Sequence, residues 1–211
     1  MTKLQACDII LWINEKNDPI NKLSRWAIGQ YSHVAMYLGR FPVTIPGGDI
    51  FNMPLVYESR GRGIYIASLL PQTGMVAAVM RPKALDPELF NLQSVTDWTI
   101  KELLTTAFEM AADEAHFYDY VSIVHSVLPR VIAEKLPWLP LPVKYHRDIW
   151  FICSEAVAEL WWRNDTLVLP DDQQLPDGTI MAGSIPLPGD FAKSPILTYI
   201  GKGKLMEDIV P

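Results

Sequence analysis

Three side chains in this sequence are of the types needed for thiol chemistry: Cys153, His33 and Glu58. Cys153 opens the stretch Ser154-Glu155-Ala156-Val157-Ala158-Glu159-Leu160-Trp161-Trp162, whose pattern predicts a helix with the thiol in its first turn. Unpaired N–H groups and partial positive charge at a helix start favour the deprotonated sulfur, the form that attacks a carbonyl carbon. Such a nucleophile needs an imidazole to take its proton and deliver it to the leaving group, and a third polar group to orient that imidazole. His33 and Glu58 supply those types, and the N–H of the Cys153 helix start would face a developing oxyanion.

Each residue taken alone has a plainer reading. Cys153 reads as a small buried residue, His33 as a hydrogen-bonded strand residue, and Glu58 as a solvated position paired with Arg60 or Arg62. The other histidines, His116, His125 and His146, read as surface or helix-packing residues. Tyr37, Tyr118 and Ser32 are candidates for lining a substrate cleft, although core packing suits Tyr37 better. No CxxC or HExxH spacing occurs, so neither a metal nor another cofactor is expected.

The elements that must position these groups follow from periodicity. Residues 8–13 form an apolar run of strand length, and the apolar positions of residues 20–30 recur at helical spacing. In Ser32-His33-Val34-Ala35-Met36-Tyr37-Leu38-Gly39, alternation predicts a strand with His33, Ala35 and Tyr37 on one face. A Pro- and Gly-rich loop is expected over 41–54, then strands at 55–59, 63–67 and 75–80, the last closed by Arg81-Pro82. Together these predict an antiparallel meander with His33 and Glu58 on adjacent strands.

Residues 97–112 predict a helix capped by Thr96 or Asp97, with a stripe of Ile100, Leu103, Leu104, Ala107, Phe108 and Ala111. A second helix is expected from Tyr118 to Leu128. Four prolines make 129–147 an apolar loop around Trp138, of the kind that acts as a lid, and 165–190 a further connection. Leu160, Trp161 and Trp162 are expected to pack the Cys153 helix on the sheet, with Glu155, Glu159 and Arg163 on its outer face.

The 211 residues suit one domain spanning 1–211, and 49% apolar with 20% charged residues is the composition of a globular chain. A net charge of −6 offers no footprint for nucleic acid or anionic lipid. No apolar signal core opens the sequence and no run approaches the ~20 apolar residues of a membrane span, so a soluble cytoplasmic or phage-encoded protein is expected. In a reducing compartment Cys7 is a small apolar residue. A Cys7–Cys153 bridge would form only in an oxidising one and would silence the nucleophile.

Several segments, in order, resemble the circularly permuted papain-like hydrolases of the NlpC cell-wall peptidase superfamily, relatives of the lecithin:retinol acyltransferase-like proteins. Cys7-Asp8-Ile9-Ile10-Leu11 is similar to that family's first strand, Tyr31 to Gly39 to its histidine strand, and Val56-Tyr57-Glu58-Ser59 to the strand bearing its acidic residue. Tyr118-Asp119-Tyr120 resembles the aromatic motif of its central helix. Phe151-Ile152-Cys153-Ser154-Glu155 resembles its nucleophile helix start, and the segment 185–195 its closing Pro-x-Asp region. Cys7 departs from the pattern by standing where the family usually has glycine.

The resemblance implies an α+β papain-like fold, with the nucleophile at a helix N-terminus against an antiparallel sheet. It also implies a Cys153-His33-Glu58 triad acting without a cofactor through an acyl-enzyme on peptide or amide bonds of the peptidoglycan type. A lipid-directed acyltransferase, thioesterase or esterase is the alternative enzyme, and a catalytically silent binding or structural module the alternative of another class.

Overall fold

The run Ile9–Ile13 forms strand β1 and occupies the middle of a six-stranded sheet, as its unbroken apolar character requires of a strand buried on both faces. The computed structural model describes residues 4–13, 15, 29–44, 47–61, 63–83, 93–113, 117–118, 150–164 and 186–205, with the side chains of 93–99, 117–118 and 150–151 outside that set. Residues 20–28 of the helix expected over 20–30, most of that expected over 118–128, the loop 129–147 and residues 165–185 lie outside it too.

The remaining elements, in chain order, are β2 (Tyr31–Thr44), β3 (Ile50–Arg60), β4 (Gly63–Ser68), a 3-10 turn at Leu70–Gln72 and β5 (Val76–Pro82). Then come α1 (Gln93–Ala112), β6 (Phe117–Tyr118), β7 (Trp150–Phe151), α2 (Cys153–Trp162), the single turn α3 (Pro188–Phe191) and β8 (Leu197–Lys204). Sheet order is β4-β3-β2-β1-β5-β8, with every pairing antiparallel. A separate short pair, β6 with β7, is parallel. The architecture is α+β, and among the described residues no helix is long and apolar enough to cross a membrane.

The meander expectation holds from β1 to β4 and then fails, because β5 pairs with β1 on the far side of the sheet. The chain reaches it through Leu69 and the 3-10 turn, and Leu69 packs with Ile10, Trp12, Ala35 and Val56 on one face. The opposite face carries Ile9, Leu11, Val34 and Met36, covered by Leu103 and Ala107 of α1 and by Ala156, Val157 and Leu160 of α2. Alternation along β1 and β2 thus divides two apolar clusters between the faces.

Several boundaries move. The loop expected over 41–54 is two strand arms, Phe41 pairing with Met53 and Thr44 with Ile50. Arg81 and Pro82 belong to β5, paired with Thr198 and Leu197. Helix α1 starts at Gln93, so Thr96 and Asp97 lie inside it and do not cap it. In its stripe Phe108 is 41% exposed and meets Phe41 edge-on. Tyr118 begins no helix but lies in β6. Trp161 is buried on the sheet side, whereas Trp162 is 38% exposed and does not share that packing.

Cys7 precedes β1 with φ 71°, the one non-glycine residue at positive φ among those described. That conformation suits glycine, which explains why a glycine would stand at this turn. Next to it the buried Asp8 carboxylate takes Arg81 Nε at 2.7 Å and Nη2 at 2.8 Å, and the Gln5 N–H at 2.8 Å. This bidentate pair ties the turn to β5. Arg81→Met would strand the Asp8 charge, and we expect a loss of about 3–5 kcal/mol in unfolding free energy, measured by urea denaturation at neutral pH.

Candidate active site

Helix α2 starts at Cys153 because extended Ile152 (φ −80°, ψ 169°) gives way to helical backbone, and the Glu155 carboxylate accepts the Ile152 N–H at 2.9 Å. Glu155 thus secures the helix entry instead of standing free on an outer face. Cys153 is next in line, and a first-turn N–H has no partner within its own helix. The thiol is 7% exposed and both cysteines are free. Ser154 donates to the Pro186 carbonyl, fastening the first turn of α2 to the segment leading into α3.

Tyr57 and Glu58 are consecutive on β3 and so point to opposite faces. The Tyr57 hydroxyl donates to the Ala156 carbonyl at 3.3 Å, holding the first turn of α2 to the sheet. Glu58, 1% exposed, points the other way and meets His33, its Oε2 lying 2.8 Å from His33 Nε2. Cys153 lies near enough to His33 to raise the pKa of its imidazole. Since Nε2 is engaged by Glu58, Nδ1 is left for the sulfur. The imidazole stands near the start of β2, where the β1 ladder is irregular between Trp12 and Ile13.

Glu58 gathers further partners. Arg60 Nη2 lies 3.0 Å from Oε2, and Gln72 Nε2 lies 3.4 Å from Oε1 and 3.5 Å from Oε2. Arg60 Nε is also 3.4 Å from His33 Nε2, but that nitrogen carries the proton shared with Glu58 and cannot accept a second one. The guanidinium therefore packs beside the ring and bonds the carboxylate. Trp12 closes the other side, its ring 5.3 Å from the imidazole at 46°.

Burial opposes a charge on His33, but its interactions with Cys153 and with the Glu58 carboxylate outweigh it and push its pKa up to about 9. Burial likewise pushes the Glu58 carboxyl up, yet the His33 bond and charge, Arg60 and Gln72 together hold it below its ordinary value. Cys7 contrasts with this site, since burial and the neighbouring Asp8 push its thiol up to about 12.

The two shifts define a window of stability. A raised His33 contributes fully below its ordinary 6.5, and the contribution is lost as pH rises through about 9. A lowered Glu58 contributes above its ordinary 4.5, and the contribution is lost as pH falls below it. Urea unfolding from pH 4 to 10 is therefore expected to show this site's contribution greatest between about 4.5 and 6.5, with the alkaline decline much reduced in His33→Gln.

The other sequence candidates fall elsewhere. Tyr37 is 4% exposed within the cluster of Ile10 and Trp12, so it is a packing residue and does not line a cleft. Ser32 is exposed beside His33, and its hydroxyl donates to the Trp12 carbonyl at 3.4 Å. The side chain of Tyr118, and residues His116, His125 and His146, lie outside the described set. Trp12 and Gln72 are site neighbours that sequence reading missed. Trp12 sat in a run read only as core, and Gln72 carries no spacing signal at all. Comparison of the sequence with protein-family models finds no match, and comparison with curated proteins finds none either, so the side chains themselves carry the functional reading.

Proposed function

We propose that the protein is a cysteine hydrolase of the circularly permuted papain-like kind, acting through an acyl-enzyme on an amide bond such as that of a peptidoglycan-type peptide. The observation that carries this reading is His33 hydrogen-bonded to Glu58 and electrostatically coupled to Cys153, in a chain where the histidine precedes the cysteine. An adjacent base, itself oriented by a third group, is what makes a thiol a nucleophile. Segment order and the antiparallel sheet beneath helix α2 support the family; the amide preference comes from the family resemblance alone.

In this mechanism the proton shared by Cys153 and His33 resides on His33 Nδ1 at neutral pH, and the sulfur attacks the carbonyl carbon to give a tetrahedral intermediate. The Cys153 N–H stabilises its oxyanion. Collapse expels the amine, which takes the proton from His33, and leaves a thioester. Water then loses a proton to His33 and attacks the thioester; the acid departs and the Cys153–His33 pair is restored. Glu58 keeps the other imidazole proton on Nε2 throughout. Because His33 must carry a proton to the amine, kcat/KM is expected to fall as pH rises through about 9, which a pH–rate profile reads directly.

The test incubates wild type and Cys153→Ala with muropeptides and with short acyl esters and follows products by mass spectrometry. Cleavage of the muropeptide by wild type alone supports the amide reading. Cleavage of the ester alone moves the substrate to a lipid-type acyl group. Turnover that survives Cys153→Ala removes the mechanism.

A further inference from the structure

Gln72 is 5% exposed, yet its Oε1 has no hydrogen-bond partner among the described residues. An orphaned buried carbonyl is costly, and such a group calls for a reason. The reason lies at the other end of the amide, where Nε2 approaches both oxygens of Glu58. Reversing the amide would aim Oε1 at a carboxylate and orphan the NH2 instead, so the orientation is fixed by charge.

Glu58 Oε2 already holds His33 and Arg60, whereas Oε1 has only Gln72 among the described residues. With Oε2 alone held, the carboxylate could turn about its last bond. A donor on Oε1 fixes its plane and keeps Oε2 on Nε2 of the imidazole. The crossover from β4 to β5 places the donor there, because the chain passes over this face with Leu69 as its buried anchor. The titratable and charged groups around the carboxylate are then His33 from β2, Arg60 from β3 and, through the imidazole, Cys153 from α2.

We propose that Gln72 is a positioning residue of the active site, holding the Glu58 carboxylate in the plane that keeps His33 aimed at Cys153. The proposal rests on the catalytic reading above for its effect on rate, but its effect on His33 can be read without turnover.

The experiment follows the His33 imidazole by NMR titration, assigned with His33→Gln, in wild type and in Gln72→Met, which keeps length and loses the donor. The His33 midpoint is expected to move down from about 9, and kcat to fall about tenfold at nearly unchanged KM, the lower end for loss of an outer hydrogen-bond partner. Gln72→Glu is expected to move the midpoint up by adding a second carboxylate beside the pair. In wild type alone, the Gln72 side-chain NH2 resonances are expected to shift as the His33–Glu58 pair titrates, so the proposal is testable even where a variant fails to fold. Unmoved NH2 resonances, or an unchanged His33 midpoint in a folded Gln72→Met, would overturn it. If wild type hydrolyses nothing while the titrations behave as described, the catalytic reading fails and the positioning role stands.

Discussion

Cys153→Ala and His33→Gln are each expected to lower kcat/KM by at least about 10³-fold, and the double variant is expected to be no worse than the poorer single one. The equality is the informative part. His33 acts only by moving the protons of Cys153, of the leaving amine and of the water that attacks the thioester, each in a step that needs the sulfur, so once either is gone the other has nothing to act on. Independent contributions would multiply, giving about 10⁶-fold or more in the double variant. The structural origin of this unity is one line of coupled groups, His33 hydrogen-bonded to Glu58 and electrostatically coupled to Cys153. Steady-state kinetics on the three variants measure it, and an additive loss would show that the imidazole works elsewhere.

Glu58 separates orientation from charge, and two substitutions read the two apart. Glu58→Met fills the space but cannot receive the His33 Nε2 proton, so the imidazole loses its fixed tautomer. A rate loss of about 10²-fold or more is expected, approaching the value seen when a triad loses its orienting group. Glu58→Gln can still accept from Nε2 through its carbonyl oxygen, with its NH2 turned toward Gln72. Gln72 has an unpartnered Oε1 to offer if its own amide reverses, so this variant is expected to stay within about tenfold of wild type. Its alkaline limb, however, is expected to move down from about 9, because the negative charge that raises His33 is gone. A Glu58→Gln as poor as Glu58→Met would mean that charge, and not orientation, is what Glu58 supplies.

Much of this arrangement was legible in the residues. The run from Tyr31 to Leu38 has strand length and is apolar on both faces from Val34 on, as befits a strand inside the sheet, and the Cys153 segment has the apolar spacing of a helix with polar residues at its start. Placing His33 and Glu58 on neighbouring strands followed from two strand-like runs in sequence. The arms of the β2–β3 hairpin were hidden by Pro42, Gly47, Gly48 and Pro54, which read as breakers. Pro42 is tolerated because the β1 partners of β2 end at Met36, so the strand is an edge there and its missing N–H interrupts no second ladder on that side. Arg81-Pro82 misled in the same way, since β1 pairing with β5 ends at Met80 and Pro82 closes the strand without cost to that neighbour.

What stayed illegible depends on the crossover from β4. Nothing in Leu69-Leu70-Pro71-Gln72 says that the chain will traverse the sheet to reach β1, and that path alone brings Gln72 to Glu58. Trp12 is a second case. Its indole packs on His33 only because β1 lies next to β2, a relation the run Ile9 to Ile13 does not encode by itself.

The most direct test of the central claim needs no substrate, since the protein carries its own control in Cys7, fully buried and with its thiol pushed up to about 12. Wild type and His33→Gln are exposed to iodoacetamide at neutral pH, and alkylation at each cysteine is followed by peptide mass spectrometry. Cys153 is expected to be modified far faster than Cys7 in wild type, and most of this advantage to disappear in His33→Gln. Equal, slow modification of both thiols, or a Cys153 rate indifferent to His33, would contradict that claim.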